Sequence, residues 1–276
     1  MKVLVAGLFG TALSVWGANA DITIAQLSDT HLGVKHNPDA AVNLRMAVEM
    51  INARKPDAVI LSGDIGEGPA NREMAKEILK KLSAPLYYVP GNHEIHSTNS
   101  LAAYRKAFGP DYYRFEVKGV EFLALDSQLL GNYGKFNGPS PAHLDAGMAE
   151  ESRKMFDWMA KQQELTKGKI VLAVQHIPLF RDGNFPKPNP YWIVNEPFAS
   201  RELDMFRKFG IKDLLAGHWH NGRVFERDGL TTHVAPSTSW LPLGGRLGFA
   251  MHAITAAGDV HTTFVYFPAT TNSPSR

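Results

Sequence analysis

Five short apolar runs constrain this chain more than any other feature, because each one ends in oxygen or imidazole side chains. Leu86–Val89 opens through Pro90 into Gly91-Asn92-His93-Glu94. Ile22–Leu27 leads to Asp29-Thr30-His31, and Val59–Leu61 leads to Gly63-Asp64. Ile170–Val174 leads to Gln175-His176, and Asp213–Ala216 to Gly217-His218-Trp219-His220. Apolar runs of this length read as buried strands. Taken singly, Asp64 could cap a helix, Asn92 could hold a turn, and His176 could sit satisfied in a core. Delivered together from five strand ends, they make the mixed oxygen and nitrogen set that a two-metal hydrolytic site requires.

The pattern between these runs is mixed α/β. Ala40–Ala53 has helical spacing at Val42, Met46, Val48 and Ile51, and a helix from Asn71 carries Met74, Ile78, Leu79 and Leu82. Strand and helix thus alternate through the first ninety residues, which implies parallel strands joined by crossovers. Tyr112–Val117 and Val120–Asp126, joined at Lys118-Gly119, form a predicted hairpin. Helices follow over Ala149–Leu165 and Ala199–Phe209. The last sixty residues read as two hairpins, turning at Asp228-Gly229 and Gly258-Asp259. Two stretches, Leu130–Gly147 and Pro178–Pro197, are rich in Gly, Pro and Asn and follow strand ends aimed at the ligand set.

Residues 1–20 hold one charge, Lys2, then an apolar stretch to Gly17 and Ala18-Asn19-Ala20. That is the layout of a secretory signal peptide. The apolar stretch falls short of the ~20 residues of a membrane span. The expectation is therefore an exported protein, periplasmic or secreted, with no membrane contact after cleavage. One domain would occupy 21–270, with a frayed tail at 271–276. The chain carries 29 Lys and Arg against 27 Asp and Glu, a near balance that argues against nucleic acid as a partner. The chain contains no cysteine, which excludes thiolate ligands and thiol nucleophiles.

Two cations roughly 3.5–4 Å apart need a shared anionic ligand, and Asp64 is the choice for it. Asp29 and His31 are two residues apart, so in an extended segment they face one side, and His218 and His220 repeat that spacing. Glu94 is expected to orient its loop rather than to bind metal. Of the remaining histidines, His96 alone sits near the blocks; surface or core packing suits the others.

In this order the blocks Asp-x-His, Gly-Asp, Gly-Asn-His-Glu, His and Gly-His-x-His resemble the calcineurin-like metallophosphoesterases, over Asp29 to His220. Asp111–Gln128, Gln175–Phe180 and Pro236–Gly248 are similar in particular to the calcineurin-like phosphoesterase domain-containing, protein-phosphatase-like branch. The resemblance implies an αββα sandwich, two mixed sheets flanked by helices, with the site on loops at strand ends. It implies two divalent or mixed-valence transition-metal ions (Mn, Fe or Zn). Asp29, His31, Asp64 and His220 would hold one; Asp64, Asn92, His176 and His218 would hold the other. A metal-bridging hydroxide would attack the phosphate ester, and His93 would protonate the leaving alkoxide.

The chain departs from the family's protein phosphatases where an Asp orients the catalytic histidine and an Arg grips phosphate. Glu67 and Gly68 stand there, so Glu67 could still orient His93, but the arginine fork is gone. Nor is the metal-bound tyrosine of the purple acid phosphatases evident. Arg181, in the proline-rich Pro178–Pro197 segment, is expected to replace the fork, with that segment as one wall of the pocket. Trp219, between two expected ligands, is a second candidate substrate contact. The expected activity is hydrolysis of a small-molecule or phosphoprotein phosphate ester, monoesters slightly preferred. The alternatives are a phosphodiesterase of cyclic nucleotide or glycerophosphodiester type, or a non-catalytic metal-stabilised binding protein.

Overall fold

The computed structural model describes residues 22–138 and 140–268; the expected signal segment and the tail lie outside them. Strands β1 (Ile22–Leu27), β2 (Ala58–Ser62) and β3 (Leu86–Val89) run parallel in one sheet. The hairpin of β10 (Gly248–Ile254) and β11 (Val260–Tyr266) extends it in the order β11-β10-β1-β2-β3, with β10 antiparallel to β1. The second sheet contains β4 (Tyr113–Val117), β5 (Val120–Ala124), β6 (Val171–Val174), β7 (Asp213–Ala216), β8 (Arg223–Arg227) and β9 (Leu230–Val234). Its order is β4-β5-β6-β7-β9-β8, with β5, β6, β7 and β9 parallel.

Strand alternation makes the sandwich. In β1, Ile22 and Ile24 face the other sheet, where they meet Phe122, Leu172 and Leu215, while Ala25 and Leu27 face the helical side. Each fully buried residue of this kind contributes roughly 1.5–3 kcal/mol. Helices α1 (Ala40–Arg54) and α2 (Gly68–Leu79) are the crossovers of the first sheet; α4 (Ala146–Leu165) and α5 (Phe198–Phe209) serve the second. Right-handed crossovers put each pair on its sheet's outer face. Helix α3 (Thr98–Phe108) has no counterpart in the sequence expectations. It buries only Leu101 and Tyr104, too little for a clear apolar stripe, and its start rests on a Ser97–Ser100 capping box. No helix among the described residues is long and apolar enough to cross a membrane.

Parallel crossovers also fix where the site lies, because the ends of β1, β2, β3, β6 and β7 emerge at one edge of the sandwich. The strand ladders continue past the strands: Asp29 N donates to Gly63 O (3.0 Å), His31 N to Asp64 O (2.9 Å) and Gly217 N to His176 O (2.9 Å). At this end the inter-sheet core turns polar. Gln26 donates to Ser62 Oγ (2.8 Å) and across the sandwich to Ala216 O (2.9 Å), and it receives His252 Nε2–H (2.9 Å).

One buried carboxyl under the site has no cationic partner among the described residues. Glu202 of α5 touches Gln175 Nε2 at 3.4 Å, and its Oε1 has no hydrogen-bond partner. Burial pushes this carboxyl up to about 8, with only the Gln175 amide opposing. Because the folded value lies above that of the unfolded chain, the contribution is full at low pH and lost as pH rises from about 4.5 to about 8. Glu202→Gln should therefore gain stability over the parent as pH rises. The gap, measured by denaturant titration, should widen on the order of 4 kcal/mol between pH 5 and pH 8. A gap independent of pH would show that Glu202 is ionised in the fold.

Candidate metal centre

The seven side chains expected to bind metal converge at the shared edge. Asp29, His31, Asp64 and His220 each bring a ligand atom within 4.8 Å of the others, and Asp64, His176 and His218 form a second such group. All are buried. His31 Nε2 and His220 Nε2 face each other at 3.2 Å, with Asp29 Oδ1 3.1 Å from His220 and Asp64 Oδ2 3.5 Å from His31. His176 Nε2 lies 3.2 Å from the same Asp64 Oδ2. That one oxygen belongs to both groups.

Each of three imidazoles is anchored through its far nitrogen. His220 Nδ1 donates to Trp240 O (2.8 Å), His176 Nδ1 to Ser62 O (2.7 Å) and His218 Nε2 to Tyr191 O (2.9 Å), which turns the other nitrogen inward. Asn92 donates Nδ2–H to Tyr191 OH (3.1 Å), leaving Oδ1 as its free end. Asp29 Oδ1, Asn92 Oδ1 and His176 Nε2 are buried without any hydrogen-bond partner. Buried acceptors with lone pairs aimed at each other are costly unless a cation lies among them. The donor set fits two divalent ions, as mixed oxygen and imidazole ligands suit Mn, Fe or Zn.

The backbone that presents these ligands is not extended. Asp29, His31, Asp64, His218 and His220 all have positive φ, between 43° and 69°. The i, i+2 pairs therefore converge through left-handed turns and not through the strand alternation expected from their spacing. Each such residue costs roughly 1–2 kcal/mol, so the neighbours must over-determine it. Ser28 Oγ (2.5 Å) and His218 N (3.1 Å) donate to Asp29 Oδ2, and Ser237 Oγ donates to Asp29 O (2.9 Å). Glu94, fully buried, accepts from Asp64 N (2.9 Å), Ile65 N (2.9 Å) and Gly91 N (3.0 Å). Arg72, absent from the sequence expectations, clasps Gly66 O (2.9 Å) and His93 O (2.8 Å). Two glycines are dictated by crowding: a Cβ at Gly91 would strike the Asp64 carboxylate, and one at Gly217 the Ser28 hydroxyl.

The electrostatics are those of a carboxylate–imidazole cluster. Burial would raise the Asp64 carboxyl, but His176 and His93 outweigh it and hold it below the usual range; His220 and His31 do the same for Asp29. Burial, aided by His176, pushes His218 down to about 3, which leaves a neutral imidazole. Burial opposes protonation of His93, yet Asp64 and Glu67 prevail and lift it to about 10.

His93 is the cluster's opening to solvent, its side chain 28% exposed. Its Nδ1 donates to Glu67 Oε1, and Nε2 lies 3.9 Å from Asp64 Oδ2. Asn92, His93 and Glu67 line a cleft of about 820 Å³. The two expected substrate contacts are not found there. Arg181 turns its guanidinium onto Pro186 O (3.2 Å), and the cleft lining does not include it. Trp219 is fully buried, donating to Trp192 O (2.8 Å) and stacked on Phe225, so it packs the wall behind the ligands. The proline-rich segment reaches the cleft through Tyr191 alone. Its end folds back, Val194 N donating to Pro178 O (2.9 Å).

Since Asp64 Oδ2 serves both groups, Asp64→Asn should reduce metal content at both sites. Elemental analysis of the dialysed variant should find well under one ion per chain; two retained ions would rule out the shared oxygen.

The comparisons agree with this geometry. The serine/threonine-protein phosphatase CPPED1 of Bos taurus is 27% identical over 192 residues, 63% of this chain and 57% of that protein. The matched part thus spans little more than half the length of that relative. A probable cyclic nucleotide phosphodiesterase of Rhodococcus erythropolis is 26% identical over 247 residues, 82% of this chain and 75% of that protein. A dimetal phosphatase from Danio rerio shares the fold, with a TM-score of 0.64 at 16% identity, over 91% of this chain and 100% of that one. The calcineurin-like phosphoesterase family model matches residues 22–222, and the chain belongs to that family of metal-dependent phosphoesterases.

Proposed function

We propose that the chain is an exported phosphomonoesterase in which His93 protonates the departing alcohol. The observation that carries this reading is the Glu67–His93 pair, set at the junction of the ligand cluster and the cleft. Two bound cations would supply Lewis-acid polarisation of the phosphoryl group and lower the pKa of a water. The rest is the work of the chain's own groups. Glu67 accepts Nδ1–H of His93 and fixes the ring so that Nε2 points toward Asp64 Oδ2, where the ligand cluster meets the cleft. The proton on Nε2 is held by the nearby Asp64 and Glu67 charges until an alkoxide needs it. The His93 main chain is pinned at both ends, its N–H on Asp64 Oδ1 (3.0 Å) and its carbonyl on Arg72. A protein that merely bound metal would have no use for a buttressed acid facing a cleft. The signal-like segment 1–20 supports export.

A second reading, phosphodiester hydrolysis, is favoured by one observation: among the described residues no arginine lines the cleft to pair with a monoester dianion. The match to the phosphodiesterase of Rhodococcus erythropolis points the same way.

With metal-loaded protein, His93→Asn should retain both ions while turnover of alkyl phosphates falls by roughly 10²–10⁴. The loss should shrink for nitrophenyl phosphates, whose leaving groups need no proton, and Glu67→Gln should reproduce part of it. Equal losses on good and poor leaving groups would remove His93 from the acid role. Parallel assays on a monoester and a diester of one alcohol decide between the two readings.

A further inference from the structure

The cleft is far larger than a phosphate group requires; volumes of 300–1,000 Å³ accommodate whole small molecules. Three connections supply the basic and imidazole side chains of its lining. Lys35 and His36 come from the segment between β1 and α1, His96 from that between β3 and α3, and Lys135 and His143 from that between β5 and α4. The lining includes one carboxylate, Glu67, which is engaged by His93. Across the chain acidic and basic side chains nearly balance, 27 against 29, whereas the charged lining is two lysines against this one engaged carboxylate. Neither Lys35 nor Lys135 has a carboxylate partner among the described residues. Both are exposed, so their charges remain hydrated and meet a ligand with little desolvation cost.

From this lining we propose that Lys35 and Lys135 bind a second anion in the cleft, so that the substrates are phosphate esters whose alcohol itself carries a phosphate or a carboxylate. The proposal rests on the phosphoesterase reading of the same cleft. The scissile phosphoryl group sits beside Asn92 and His93, and the alcohol extends along the cleft with its own negative charge between Lys35 and Lys135. The histidines add hydrogen-bond donors around it. A lining of net positive charge also concentrates such substrates before they bind.

Three aryl monoesters with similar leaving groups test this on the metal-loaded, full-length protein: phenyl phosphate, 4-carboxyphenyl phosphate and 1,4-phenylene bisphosphate. The parent should prefer one or both charged esters over phenyl phosphate by about tenfold in kcat/KM, mainly through KM, as expected for exposed charge pairs. The preference should shrink in about 0.5 M salt, where the screening length is only a few ångströms. In the Lys35→Ala/Lys135→Ala variant the ratio of charged to neutral ester should fall to near one, and which charged ester leads in the parent identifies the second anion. A parent ratio near one, or a ratio unaltered in the variant, overturns the second-anion site. Failure to hydrolyse any of the three esters or a matched diester overturns the phosphoesterase reading on which it rests.

Discussion

The carboxylate of Glu94 is the tie on which the metal centre depends. It joins two loops that the sheet leaves separate, the one after β2 and the one after β3, by accepting backbone N–H groups from both. One of those groups belongs to Asp64, the ligand shared by both clusters; another belongs to Gly91, which starts the Asn92–His93 step. A buried carboxylate taking several backbone hydrogen bonds is a rigid joint, because charge-assisted bonds are short and directional. The spacing between the Asp64 carboxylate and His93 is set there.

That joint is needed because the ligands stand in a backbone conformation their side chains disfavour. Five ligating residues in the left-handed region amount to several kcal/mol of local strain, concentrated at one edge of the sandwich. The serines and threonines of the segment after β9 oppose it from one side: Ser237, Thr238 and Ser239 bond the carbonyls of Ser28, Asp29 and Thr30. Glu94 and Arg72 oppose it from the other. The polar inter-sheet contacts of Gln26 then anchor the whole edge to the apolar core beneath.

The strand ends and their ligands were legible in the sequence because metal chemistry restricts residue type: few side chains can replace Asp64 or His176. The alternation of strand and helix was legible through apolar period. The route by which Asp29 meets His31 was not, since spacing alone suggests an extended pair and only the packed turn reveals a left-handed one. Nor could the sequence say which way the Pro178–Pro197 segment runs after leaving His176. It presents Tyr191 to the cleft and turns Arg181 aside, a choice made by tertiary packing. Lys35, Lys135 and Arg72 lie far apart along the chain in ordinary polar surroundings, so nothing local marks them.

Tyr191 supports two ligands of the same metal group at once. Its hydroxyl holds the Asn92 carboxamide and its carbonyl holds the His218 ring, while its own ring forms part of the cleft. The proline-rich segment therefore supports two side chains of one ligand group while also lining the cleft. A change at Tyr191 that reshaped the cleft wall would also loosen the side chains of Asn92 and His218. The shape of the cleft wall and the fit of the second ligand group therefore cannot be altered independently at this residue.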